Sequence, residues 1–211
     1  MRQLALNIDC LEYMKTCKDK QFNLAIVDPP YDDGKKVSRT GGTWAEKYGK
    51  KNKTLYNVPN HEFFDELFRI SENQIIWGAN YFKMPPTRCF LVWEKLTISE
   101  NFTMAMCEYA WTSFDRNAKL FKFAPQDKHR FHPNQKPVAL YKWILSNFAK
   151  EGDTIFDSHL GSGSSRIAAY DLGFEFVGCE LSEKYFDLQE KRFKEHCSQL
   201  ELFEMKGGKV V

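Results

Sequence analysis

The sequence predicts an α/β fold, a mostly parallel sheet covered by helices on both faces with a late antiparallel pair. Three observations lead there. Short apolar runs of strand length alternate with segments of helical periodicity along the whole chain. The run Phe22-Asn23-Leu24-Ala25-Ile26-Val27 is apolar at nearly every position, as in a parallel strand buried on both sides. Near the other end, a strand-like run passes through Gly161-Ser162-Gly163 straight into a helical segment, the strand–turn–helix step of a parallel unit.

The elements follow in order. Leu4 to Ile8 reads as a short strand, and Leu11 to Cys17 as a short helix after Asp9. Phe22 to Val27 is the buried strand. Residues 32–57 lose all periodicity and contain Gly34, Gly41, Gly42 and Gly49, so a long mobile loop is expected; such loops in compact domains carry function or are disordered. His61 to Ile70 has helical spacing, with Phe64, Leu67 and Phe68 on one face. Gln74 to Trp77 and Phe90 to Trp93 read as strands separated by Pro85-Pro86. Glu108 to Phe114 and Leu120 to Phe123 read as an antiparallel pair. Leu140 to Phe148 is an amphipathic helix after Pro137, and Thr154 to Phe156 a strand. Ser164 to Leu172 is a helix of small residues, Phe174 to Cys179 a strand, and Glu183 to Cys197 the last long helix. No repeat or interdomain linker interrupts this pattern, so residues 1–211 are read as one domain.

Composition narrows the classes. With 211 residues and 43% hydrophobic content, a single core of ordinary stability is expected. No apolar stretch approaches membrane-spanning length, and Met1-Arg2-Gln3-Leu4 runs into a strand without resembling a signal peptide. The six cysteines are scattered with no Cys-x-x-Cys pair, which argues for reduced thiols in a cytoplasmic protein and for no metal site. A net charge of +2 means that any nucleic-acid surface is local.

Two motifs carry chemistry. Asp28-Pro29-Pro30-Tyr31 closes the buried strand. A carboxylate, a backbone carbonyl fixed between prolines and an aromatic ring can grip a planar exocyclic amine and stack its ring. An ordinary strand exit is the simpler alternative, since a residue before proline favours extended backbone. The second motif is Asp157-Ser158-His159-Leu160-Gly161-Ser162-Gly163-Ser164-Ser165, followed by Glu180 at the end of the next strand. Glycines let backbone pass close to a ligand, and an acid on the neighbouring strand can hold ribose hydroxyls. Arg166 replaces the third glycine of the dinucleotide fingerprint, and no Gly-Lys-Ser/Thr follows. An adenosine ligand without phosphates and with a charged tail, S-adenosylmethionine, fits better than a dinucleotide or a nucleoside triphosphate.

Together the two motifs, in this order, resemble the permuted β class of DNA amino-methyltransferases, the adenine-N6 and cytosine-N4 enzymes. The resemblance runs from Asn7-Ile8-Asp9-Cys10 to the helix around Arg192. It implies a Rossmann-like class I methyltransferase fold with a seven-stranded sheet. It also implies catalytic roles for Asp28, Pro29, Pro30 and Tyr31. The cofactor is implied to lie on Asp9, Cys10, Asp28, Lys136, Asp157, His159, Leu160, Gly161, Ser162, Gly163, Ser165 and Glu180. His132-Pro133-Asn134-Gln135-Lys136-Pro137 and Glu108-Tyr109-Ala110-Trp111-Thr112-Ser113-Phe114 resemble small phage and prophage members, encoded in bacteria or their phages and working at the nucleoid. One departure stands out: the family places phenylalanine where this chain has His159, read as a packed, hydrogen-bonded histidine in preference to a base.

The residues imply a mechanism of positioning. Asp28 and the Pro29 carbonyl each accept one N–H, which localises the amine lone pair and stabilises positive charge growing on nitrogen. Tyr31 stacks on the base. Within the resemblance, the acidic first residue favours adenine over cytosine; cytosine-N4, adenine in RNA, and an inactive nucleic-acid-binding relative are the alternatives. Double-stranded DNA is expected to meet two basic segments. One carries Lys35, Lys36, Arg39, Lys47, Lys50, Lys51 and Lys53 with Trp44, Tyr48 and Tyr56 interleaved; the other spans Arg116, Lys119, Lys122, Lys128, His129, Arg130 and His132, with Arg116, Lys128 and Arg130 the expected contacts. Only residues 94–135 are available as a short target-reading insert, so the chain reads a short site, reads loosely, or depends on a homodimer partner.

Overall fold

A computed structural model describes residues 2–31, 58–101 and 104–205. Its centre is one eight-stranded sheet in the order β1-β8-β7-β2-β3-β5-β4-β6. The strands are β1 (Gln3–Leu6), β2 (Phe22–Val27), β3 (Ser71–Trp77), β4 (Phe90–Glu94), β5 (Cys107–Thr112), β6 (Lys119–Lys122), β7 (Thr154–Asp157) and β8 (Glu175–Cys179). The helices are α1 (Cys10–Thr16), α2 (His61–Ile70), α3 (Val138–Phe148), α4 (Ser164–Asp171) and α5 (Glu183–Met205), with a 3-10 turn at Ala79–Tyr81.

Why these residues form these layers is visible in the period of two. On β2, Leu24 and Ile26 enter the core under α3 and α4, while Ala25 and Val27 enter the core under α1 and α2. On β3, Ile75 and Trp77 face the first core and Ile76 the second. A central strand buried on both faces has no place for alternating polar residues, which explains its continuous apolar run. The helices supply the matching faces. In α2, Phe63, Leu67 and Ile70 are buried at i, i+4, i+7 spacing, each stabilising the fold by roughly 1.5–3 kcal/mol. Asn60 caps that helix by accepting the Phe63 N–H at 3.1 Å.

Two expectations are corrected. The sheet has eight strands where seven were expected. Furthermore, β5 and β6 do not pair with each other: β4 lies between them, antiparallel to β5 and parallel to β6. Only β5 runs against the other strands. The reason is side-chain packing: Ala110 and Trp111 of β5 are buried between the cores of β3 and β4, whereas β6, Lys-Leu-Phe-Lys, suits an edge with its lysines in solvent.

The order places the site. Strand β7 leads through α4 to β8 on one side, while β2 leads through α2 to β3 on the other, and β2 and β7 are hydrogen-bonded neighbours. Crossovers that diverge from adjacent parallel strands open a crevice at their carboxyl ends. Asp157 ends β7 and Asp28 follows β2, so both motifs meet at that crevice. The reversed β5 brings its first residues, Cys107 and Glu108, to the same edge.

Candidate active site

The glycine loop is fixed by its own neighbourhood. Gly161 and Gly163 take left-handed backbone, at φ 52° and 72°, which favours glycine at both positions. Glu180 accepts the Gly161 N–H on one oxygen and the Ser182 N–H on the other, each at 2.8 Å. Asp157 is buried; it accepts Ser165 Oγ at 2.6 Å and the His159 N–H at 3.0 Å. Burial raises the Asp157 carboxyl to about 7, against the pull of the Ser165 and His159 donors. The Leu160 N–H bonds Cys179 at 2.9 Å, and Arg192 holds the Ser162 carbonyl at 2.9 Å. Asp9 caps α1 through the Leu11 and Glu12 N–H groups.

The substituted His159 is half-buried. Its Nδ1 lies 2.7 Å from Ser158 Oγ, its Nε2 faces Cys10 Sγ at 4.0 Å, and its ring tilts against Phe63. Burial depresses it to about 4, so it is neutral at physiological pH. Burial likewise pushes the Cys10 thiol up to about 12. The pair is packed and unreactive. Arg166, at the position of the missing third glycine, is also buried: it bonds Gln189, Glu190 and the Gln3 carbonyl and lies over the Phe193 ring, tying α4 to α5 and β1.

The Asp-Pro-Pro-Tyr end is held by distant side chains. Asp28 Oδ2 pairs with Lys136 Nζ at 2.5 Å. Lys136 is 5% exposed and also pairs with Glu108 at 3.1 Å; Glu108 in turn pairs with Lys95 at 2.7 Å. Burial pushes the Asp28 carboxyl up and Lys136 opposes that rise. Burial also works against charge on Lys136, but the two carboxylates win and hold it above its ordinary value. Lys136 therefore sits on the Asp28 carboxylate, an arrangement that sequence alone does not suggest.

Pro29 is buried, whereas Tyr31 is 41% exposed. The Tyr31 ring stacks on Tyr81, with centroids 4.1 Å apart and planes within 5°. Gly78 makes room for it: its backbone is left-handed, and an added Cβ would stand 2.8 Å from the Tyr31 ring. Tyr81, Gly78 and Lys95 escape motif reading, and Glu108 enters only as part of a longer phrase with no role of its own; a charged residue just past a strand's carboxyl end, as at Lys95, is the one signal that could have drawn notice.

The glycine cradle tests the expected cofactor. Left-handed backbone at Gly161 and Gly163 beside a paired carboxylate at Glu180 suits an adenosine ribose, and the absence of a lysine in the loop suits a ligand without phosphates. His132 is a further residue here, its ring 3.3 Å from where a Gly161 Cβ would lie. It accepts the Asn134 N–H on Nδ1, and burial keeps it neutral.

The basic residues separate. Lys35, Lys36, Arg39, Lys47, Lys50, Lys51 and Lys53 lie outside the described residues. Lys128 is exposed. Arg116 is exposed but bonds the Asn147 carbonyl and lies over Phe114 and Phe148. Arg130 spends its guanidinium on the carbonyls of Pro125, Pro133 and Gln135, which shapes its own loop. Among the described residues no helix is long and apolar enough to cross a membrane.

The chain is similar to known proteins. A DNA methylase family model, that of the N6 and N4 methyltransferases, matches residues 10–191. Type II methyltransferase M.HinfI of Haemophilus influenzae is 25% identical, over 89% of this chain and 67% of its own. Type II methyltransferase M2.MboI of Moraxella bovis is 23% identical, over 89% and 86%. Among solved structures, the M1.HpyAVI–SAM complex matches with a TM-score of 0.60 at 20% identity, over 90% of this chain and 98% of that one. The cytosine-N4-specific PvuII DNA methyltransferase matches with a TM-score of 0.61 at 11% identity, over 91% and 90%. A carboxylate grip at the end of β2, a glycine cradle at the end of β7 and a family match spanning both place the chain in the DNA methylase family of N6/N4 amino-methyltransferases.

Proposed function

We propose that the protein methylates the exocyclic N6 amine of adenine in double-stranded DNA, with S-adenosylmethionine as donor. The observation that carries this reading is the meeting of Asp28 and the Gly161–Gly163 cradle at one crevice, with the Tyr31 ring at its rim. When bound, S-adenosylmethionine supplies an electrophilic methyl group on a sulfonium. Gly161 and Gly163 would pass under it, Glu180 would hold the ribose, and Asp9 and Cys10 would lie near the adenine.

The chain's own residues do the rest. Asp28 accepts one amine N–H and the Pro29 carbonyl the other, turning the nitrogen lone pair toward the donor and stabilising the cation that forms. The cationic product amine is acidic and loses its proton to water, so no base stronger than Asp28 is needed. Tyr31 stacks on an extruded base, worth roughly 1–3 kcal/mol, against an extrusion cost of a few kcal/mol. Target reading falls to the loops within 94–135 that flank β5 and β6, to the basic stretch 32–57, and to Arg116 and Lys128, in a monomer or a homodimer acting on cytoplasmic DNA.

A second reading, cytosine-N4, stands beside it because the family model that the chain matches takes in both N6 and N4 enzymes. The acidic Asp28 tips the choice to adenine. The test is transfer of labelled methyl to a plasmid from a methylation-deficient host, followed by hydrolysis to nucleosides. N6-methyladenine is expected. N4-methylcytosine supports the second reading, and label appearing only in an RNA control overturns both.

A further inference from the structure

The four charges at the carboxyl edge form a ladder, Asp28–Lys136–Glu108–Lys95, with successive contacts of 2.5, 3.1 and 2.7 Å. Its members come from four places: the end of β2, the loop before α3, the start of β5 and the residue after β4. Both lysines are buried; Lys136 lies over the Trp77 ring and Lys95 over Trp93. Lysines withdrawn from water in this way are costly unless paired. A ladder is not needed to satisfy Asp28 alone, and a lone ammonium there would work against the reaction, because it would repel the positive charge growing on the target nitrogen.

We propose that Glu108, braced by Lys95, is a positioning residue of methyl transfer: it anchors Lys136 so that the ammonium occupies one oxygen of Asp28 and leaves the other aimed at the amine. This rests on the reading of Asp28 given above. Lys136 meets Oδ2, and the second oxygen of Asp28 accepts no hydrogen bond from the described residues. Glu108 also supplies a negative charge that offsets Lys136. Lys95 sits on the far carboxylate oxygen, away from Asp28, and fixes Glu108 without cancelling that effect. The two acids are unequally held. Burial works to raise Glu108, but the two ammonium groups overcome it and hold the carboxyl down at about 2, whereas burial leaves Asp28 raised. Glu108 is thus a permanent anion and Asp28 the group that responds to change. The titratable groups facing Asp28 are Lys136, Glu108, Lys95, Asp157, Tyr141 and Tyr31.

The experiment compares parent, Glu108→Gln and Lys136→Met in full-length protein. Methyl transfer to unmethylated plasmid is followed against pH at saturating S-adenosylmethionine and DNA, and the Asp28 side-chain carboxyl is titrated by 13C NMR, assigned with Asp28→Asn. Glu108→Gln is expected to lower kcat by about 10²-fold with KM for the cofactor unchanged, the scale of a small misplacement. Its acid limb and Asp28 titration move to lower pH, because a neighbouring negative charge is gone. Lys136→Met moves both to higher pH. A structural role alone would lower stability and leave both positions where they were, which overturns the proposal, as does movement of the two variants in the same direction. A loss confined to cofactor KM overturns it too and returns Lys136 to the cofactor. If the parent transfers no methyl to DNA, the proposed function fails by itself; the carboxyl titration still decides the ladder, since an Asp28 unmoved by Glu108→Gln refutes it.

Discussion

The two halves of the crevice are built by different means. Around the glycine loop, ligating groups are held by backbone: Glu180 is tied to two amides, Leu160 to the Cys179 carbonyl, and two glycines take left-handed turns. Around Asp28, side chains hold side chains: an ammonium from 108 residues away, a second acid behind it, and a tyrosine lying on a tyrosine. A cradle of amides is rigid and suits a ligand that is the same in every turnover. Ion pairs and stacked rings can shift, and they suit the side on which the proposed function places an extruded base.

The most severe way to break this contrast is Asp28→Ala. Methyl transfer should fall by at least about 10²–10³-fold, while S-adenosylmethionine affinity, to which Asp28 is expected to add one contact, should fall by calorimetry no more than about tenfold. A matching loss of cofactor affinity would mean that the two halves are not separable. The converse variant is Glu180→Ala, which strands two amides, each worth roughly 1–3 kcal/mol of stability. Its cofactor affinity should drop about 10- to 100-fold and its urea midpoint should fall; an unaltered midpoint would show that the cradle does not depend on that carboxylate. Next in size, Tyr31→Ala should weaken DNA binding by roughly 1–3 kcal/mol and leave the cofactor alone. Tyr81→Ala tests whether the stack is a support. Strict additivity of the two in a double-mutant cycle on DNA affinity would refute coupling through the 4.1 Å stack.

The smallest effect concerns His159. Its folded value, about 4, lies below the ordinary 6.5. As pH falls below 6.5 the unfolded chain takes up the proton first, so stability is lost toward pH 4. His159→Phe removes that loss. Between pH 8 and pH 5, urea unfolding should show the variant gaining about 1 kcal/mol or more on the parent. A constant difference would show that the imidazole is not buried as described.

Legibility followed the same division. The strands, the helices and the glycine cradle could be read because their causes are short-range: an apolar run, a capping Asn60, a turn that needs glycine. The placement of β4 between β5 and β6 could not, since nothing local distinguishes a hairpin from a strand reaching past its neighbour. Lys136 was legible as a site residue but not as the partner of Asp28. The pairing depends on a loop fastened by Arg130 and by Gln135, which bonds Asp127 at 2.7 Å. Glu108 gave no signal because one acid at the start of a strand looks like any solvent-facing residue until β5 is seen to run backwards.

The adjacency of β2 and β7 has a consequence for how such chains can be rewired. The crevice depends on two strands lying side by side in the sheet, and hydrogen bonds across them do not record which was synthesised first. Genes that present the glycine cradle before the Asp-Pro-Pro-Tyr strand, or after it as here, can encode the same reaction centre. The chemistry of the proposed function then depends on spatial adjacency and not on motif order.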